Sequence, residues 1–274
     1  MSFLEKYRSA ADSRKSLVCV GLDPDPERLP HHLRGTADPV SSFLKEVVAA
    51  TRDLVCAYKP NFAFFGAMGA AGWRSLEDVL GAIPRATPVV LDFKANDIGN
   101  SARRYAQMAY EALGVDAVTV NPLMGSDSVA SFLEYPDGCA FLLCLTSNPG
   151  SADFQRLSTK DGPLYQHVAR KALKWSGTGP CGLVVGATHA HELAAVRKIA
   201  PGLPFLVPGV GAQMGDPGEV VRCGSDRNGE GLLVNVSRSV LYASSGRDFA
   251  DAARRAAESL RAELERERAA SLSP

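Results

Sequence analysis

Apolar residues along this chain gather into eight short runs, separated by longer stretches with helical spacing. The runs are Leu17 to Asp23, Leu54 to Lys59, Val89 to Lys94, Asp116 to Asn121, Cys139 to Thr146, Cys181 to Gly186, Pro204 to Pro208 and Gly231 to Val236. Each is apolar at nearly every position rather than at alternate ones, as in a strand buried on both faces. Between them the 3.6-residue pattern predicts helices over Phe3–Ser13, Val40–Arg52, Leu76–Ile83, about Ile98–Leu113, Gly162–Trp175, Ala190–Ile199 and Arg247–Arg268. Pro24 to Pro39 reads as a long loop, and Gly66 to Gly72 as a small-residue loop or short helix.

Strands that alternate with helices form parallel β/α units, and closing eight of them gives a (β/α)8 TIM barrel of the α/β class. The chain's 274 residues suit one such barrel. No linker or composition shift divides the chain, so residues 1–274 are expected to form a single domain with a frayed tail from about Ala269 to Pro274. A doubly wound open sheet is the alternative.

Composition removes several function classes. Thirty basic residues balance thirty acidic ones, so no charge excess attracts nucleic acid or an anionic membrane. No apolar run reaches the ~18 residues needed to span a bilayer, and the polar start Met1-Ser2-Phe3-Leu4-Glu5-Lys6 lacks a signal-peptide core. The six cysteines form no C-x-x-C pair and mostly lie in strand-like runs, as reduced core residues of a cytoplasmic protein would. His189 and His191 are badly spaced to share a metal on one helix face, and no metal or other cofactor is expected.

The third run carries the chemistry. Asp92 and Lys94 stand two apart, so strand alternation would put both on one face, with Leu91 and Phe93 on the other. Asp97 follows just past the strand. Charges so placed form either a salt-bridge cluster or a site. Asp23, Lys59, Asn121 and Ser147 also fall at or just beyond strand C-termini, which in a barrel share the face where active sites are built. Two further stretches suit an anion. Val207-Pro208-Gly209-Val210-Gly211-Ala212-Gln213 offers exposed backbone N–H groups after the seventh strand, and Ser237-Arg238-Ser239 offers a guanidinium fork after the eighth. The glycine spacing is wrong for a dinucleotide fingerprint.

D-F-K-A-N-D-I at 92–98, together with G-L-D-P at Asp23, Y-K-P-N at Lys59, Thr146-Ser147, P-G-V-G-A-Q and Ser237-Arg238, resembles the orotidine 5′-phosphate decarboxylase family in the order of its motifs. The length and the long first loop look like its longer bacterial group. The D-x-K-x-x-D pattern alone is shared with sugar-phosphate lyases on the same barrel. The resemblance implies conversion of orotidine 5′-monophosphate to UMP and carbon dioxide, the last step of de novo pyrimidine synthesis. It implies a charge network of Lys59, Asp92, Lys94 and Asp97, with Asp97 supplied by the second subunit of a homodimer. Asp23 and Lys59 would hold ribose hydroxyls, helped by Ser101 of the partner. Ser147 would bond the pyrimidine edge, Ile98 and Pro208 would pack on the ring, and Gln213 and Arg238 would bind the phosphate.

The chemistry fits those residue types. Loss of carbon dioxide from C6 leaves a carbanion that no carbonyl delocalises, so stabilisation must come from fixed charge, and Lys94 can supply both charge and proton. A Schiff-base aldolase is disfavoured because flanking carboxylates keep Lys94 charged. The same barrel also admits a sugar-phosphate decarboxylase of the suprafamily, or a non-catalytic binder of phosphorylated ligands.

Overall fold

The computed structural model describes residues 1–188, 190–210 and 215–272. Among them, eight parallel strands form one sheet: Val18–Leu22, Ala57–Pro60, Val90–Leu91, Ala117–Val120, Ala140–Leu145, Cys181–Val185, Phe205–Pro208 and Leu232–Val236. Each apolar run yields one strand, in order. Consecutive strands pair in parallel, and the last returns to the first with Val18 opposite Val234. Between the second and third strands the ladder thins to two bridges, Tyr58 with Val89 and Asn61 with Asp92. The Asp92 N–H donates to the Pro60 carbonyl at 2.9 Å there, which completes the circle. An open doubly wound sheet has two unpaired edges; this sheet closes as a TIM barrel.

The lower end of the barrel is plugged by the first helix, Phe3–Arg14, which starts in a capping box between Ser2 and Glu5. Phe3 and Tyr7 are buried, and Phe3 meets Phe141 edge to face at 5.5 Å. The Tyr7 hydroxyl donates to the Leu232 carbonyl and accepts from its N–H, both at 3.0 Å. With the bottom sealed, ligands approach from the C-terminal ends of the strands.

Three local expectations need correction. Of the loop or short helix expected over the small-residue stretch, helix forms, in Phe62–Gly66 and then Gly69–Ala82, and the latter begins well before the expected Leu76. Gly72 serves packing there, because a Cβ on it would stand 1.9 Å from the Phe65 carbonyl oxygen. A small antiparallel hairpin, Ser158–Thr159 with Gly162–Pro163, precedes the helix Leu164–Trp175. The last helix runs Phe249–Leu272, starting two residues later than expected. No helix of the described residues is long and apolar enough to cross a membrane.

Candidate active site

Lys59 lies near the end of the second strand and Asp92 follows the two-residue third strand, so the bridge between those strands sets them side by side. Lys59 Nζ donates to Asp92 Oδ2 at 2.9 Å and lies 3.8 Å from Asp23 Oδ1, just past the first strand. Lys94 Nζ closes on the other oxygen, Asp92 Oδ1. One carboxylate therefore bridges two ammonium groups, of which Lys59 is buried and Lys94 is 46% exposed along its side chain.

Lys94 does not reach Asp92 by strand alternation, because the strand ends at Leu91. Its φ of 49° is left-handed, a conformation that non-glycine residues rarely adopt. Thr119 on the fourth strand holds it there. The Thr119 hydroxyl accepts the Lys94 N–H at 3.2 Å and donates to Asp92 Oδ1 at 2.8 Å. Phe93 turns outward as expected and packs against Tyr105 and Phe132.

Electrostatics keeps Lys59 and Asp92 charged. Burial alone would discharge Lys59, but Asp23 and Asp92 outweigh it and lift its pKa above the ordinary lysine value. Burial would likewise raise the Asp92 pKa, yet Lys59 and Lys94 override it and hold the carboxyl well below the usual range.

A cleft of about 630 Å³, open solvent included, sits over this array. Asp23, Lys59, Asp92, Ser147, Pro208 and Arg238 line it, six of the residues singled out from sequence. Gly209, at a φ of 97°, turns the backbone along the wall opposite the array's strands. Arg238 opens the short helix Arg238–Leu241 and is exposed. Beside it the Ser237 hydroxyl is buried without a hydrogen-bond partner, as is Asp23 Oδ1 on the same cleft.

Other expected residues stand apart. Lys94, Asp97, Ile98 and Ser101 do not line the cleft; Lys94 meets it only through Asp92, which does. Lys94 pairs with Asp92 and not with Asp97, whose Oδ1 instead accepts the Ile98 N–H at 2.7 Å. Ile98 is 52% exposed. Gln213, with Gly211 and Ala212 of the same motif, lies outside the described residues. Asn121 turns its side chain to cap the following turn through the Leu123 N–H at 3.1 Å.

Thr119, Asn61, Asn235 and Asn96 escape a reading of the sequence. Thr119 sits inside an otherwise apolar strand, and that out-of-place hydroxyl is the available signal. Asn61 and Asn235 line the cleft. Asn96 donates to the Asn121 carbonyl and, at 3.3 Å, to Ser128 Oγ, which ties down the segment between Lys94 and Asp97.

Fold and site together define a class: a (β/α)8 barrel enzyme with a lysine–carboxylate array at the strand C-termini. Comparison with known proteins narrows it. Residues 16–255 match the model of the orotidine 5′-phosphate decarboxylase / HUMPS family. The orotidine 5′-phosphate decarboxylase of Herpetosiphon aurantiacus is 50% identical over 258 residues, 93% of this chain and 95% of that protein. That of Aromatoleum aromaticum is 49% identical, covering 98% of this chain and all of its own. The structure of Leishmania donovani OMP decarboxylase superposes with a TM-score of 0.83 at 41% identity, over 95% of this chain and 99% of that one. The chain belongs to the orotidine 5′-phosphate decarboxylase / HUMPS family.

Proposed function

We propose that this chain decarboxylates orotidine 5′-monophosphate to UMP and carbon dioxide, the last step of de novo pyrimidine biosynthesis. The observation that carries the reading is the Lys59–Asp92–Lys94 array, whose Lys59 and Asp92 line a cleft that also bears Arg238. High identity to named orotidine 5′-phosphate decarboxylases over nearly the full chain supports it.

In this reading the phosphate binds Arg238 and Gln213, and the ribose meets Asp23 and Lys59. The pyrimidine lies between Ser147 and Pro208. Its C6 carboxylate then stands over Asp92 and Lys94. As carbon dioxide departs, the electron pair of the broken C–C bond stays on C6. The Lys94 ammonium stabilises that charge and then donates its proton to C6, giving UMP and a neutral amine that solvent reprotonates. Asp92 aims the Lys94 side chain beforehand. Binding energy from the remote phosphate helps hold the site closed.

Asp97, Ile98 and Ser101 belong, in this reading, to the site of a second copy in a homodimer. Asp97 makes no ion pair with its own Lys94, which pairs with Asp92 instead, and this supports that assignment. A two-fold axis makes the exchange reciprocal. We take residues 1–274 as one domain and place the protein in the cytoplasm. The six free cysteines, five of them buried, support a reducing compartment.

The test is the ultraviolet absorbance of orotidylate after adding pure, chelator-treated protein. Steady loss of the orotidylate band with formation of UMP is the expected result. An unchanged spectrum would overturn the reading, and activity that requires added metal would favour a metal-dependent relative instead.

A further inference from the structure

We infer that Tyr242 is a positioning residue for Asp23, joining the first loop to the helix that carries Arg238. The inference rests on the decarboxylase reading, in which Asp23 meets the ribose. Tyr242 directly follows the helix Arg238–Leu241, and its N–H donates to the Arg238 carbonyl at 3.1 Å. Its hydroxyl crosses to the other end of the chain. There it accepts the Asp25 N–H at 2.6 Å and donates to the Asp23 carbonyl at 3.2 Å. One phenol therefore staples both sides of the Asp23-Pro24-Asp25 turn.

That turn has little else to hold Asp23. The first strand ends at Leu22, and the following segment to Asp38 is a loop with two short 3-10 turns. Asp23 Oδ1 is 3.8 Å from Lys59, an ion-pair distance rather than a hydrogen bond, and is buried with no hydrogen-bond partner. Its aim into the cleft is set by its backbone, which the tyrosine fixes.

The ring itself is anchored independently of its hydroxyl. Phe43 stacks on it with centroids 5.8 Å apart and planes within 10°, and the Arg28 guanidinium sits 4.0 Å from the ring centre. Phenylalanine at this position keeps both contacts and loses only the two hydrogen bonds to the loop. The substitution thus separates stapling from packing.

The test is a double-mutant cycle between Tyr242→Phe and Asp23→Ala, read in kcat/KM for orotidylate and in UMP affinity. Thermal melts of all four proteins check folding. If Tyr242 acts through Asp23, Y242F lowers kcat/KM by about tenfold in the wild-type background, since small misplacements of binding groups carry losses of this order. In the D23A background the same change then has an effect below about twofold, because coupled residues are not additive. An equal loss in both backgrounds would show a general structural role and overturn the inference. So would full activity of Y242F. A wild-type chain that neither turns over orotidylate nor binds UMP would instead sink the functional reading itself.

Discussion

Two buried cations sit at opposite ends of this barrel, and they are held in opposite ways. Lys59, at the mouth, faces two carboxylates, Asp92 at 2.9 Å and Asp23 at 3.8 Å. Arg197, near the strand N-termini, meets carbonyl oxygens instead. It donates to Gly224 and Leu203 at 2.7 Å, to Gly231 at 3.1 Å, and to Ala200 and Pro201 at 3.2 and 3.3 Å, while its guanidinium lies 3.6 Å from the centre of the Phe205 ring. Burial pulls the Arg197 pKa down, whereas the carboxylates lift that of Lys59 although it too is buried. The difference separates a structural charge from one proposed to meet substrate. Arg197 directs its donors at carbonyls of connecting segments, including that of Gly224 at a helix terminus. The mouth leaves polar atoms such as Asp23 Oδ1 and Ser237 Oγ without hydrogen-bond partners, on residues that line the cleft.

The sharpest way to break this comparison is at the mouth. Lys94→Ala and Asp97→Ala should each abolish turnover, and unfolding and refolding them together should restore it. In the proposed homodimer, half of randomly assorted dimers are mixed and each mixed dimer has one intact site, so about a quarter of wild-type activity should return. Asp97 serving its own chain would leave every site defective, and nothing would return.

At the other end the effect should fall on stability. Arg197→Met strands several carbonyls, and we expect a loss of about 3 kcal/mol in unfolding free energy by urea titration. Activity per folded molecule should stay within about twofold of wild type, since the change lies far from the cleft. A large fall in kcat with normal stability would mean that the two ends are not separable.

Arg238→Ala should mirror that result: an unchanged melt, with KM raised about thirtyfold, equivalent to ~2 kcal/mol for a lost charge-assisted contact to phosphate. An unchanged KM would place the phosphate elsewhere.

The contrast is only partly legible in the sequence. Eight apolar runs specify eight strands because barrel strands are buried on both faces and tolerate few polar residues. Asp92 and Lys94 do come together, but not for the reason their spacing suggests. Alternation predicts the pairing, whereas a left-handed residue held by Thr119 makes the contact. Long-range partners of that kind leave no periodic trace. Gly72 misleads for a related reason: glycine marks turns and close contacts alike, and only the neighbouring Phe65 carbonyl tells which. Arg197 is invisible in the sequence, because nothing local announces that its partners are carbonyls from other segments.

The smallest expected effect is in pH dependence. The Asp92 pKa is depressed, so its stabilising contribution is present above the unfolded value near about 4 and is lost as pH falls toward the folded one. That of Lys59 is raised, so its contribution is complete below the unfolded value near about 10.4 and is lost only as pH rises through the folded one. The stability difference between wild type and Asp92→Asn should therefore be flat from about pH 5 to about pH 9. A slope inside that window would show that the pair is not ionised as described.

Orotidylate labelled in its carboxylate and turned over in deuterium oxide tests the central claim most directly. The wild-type protein should release one labelled carbon dioxide per UMP, with one deuterium at C6, and Lys94→Ala should release none above background. Release by Lys94→Ala within about tenfold of wild type would contradict the role given to the array, since a positioned proton donor contributes roughly 10²–10⁴-fold. No release by the wild-type protein would contradict the account as a whole.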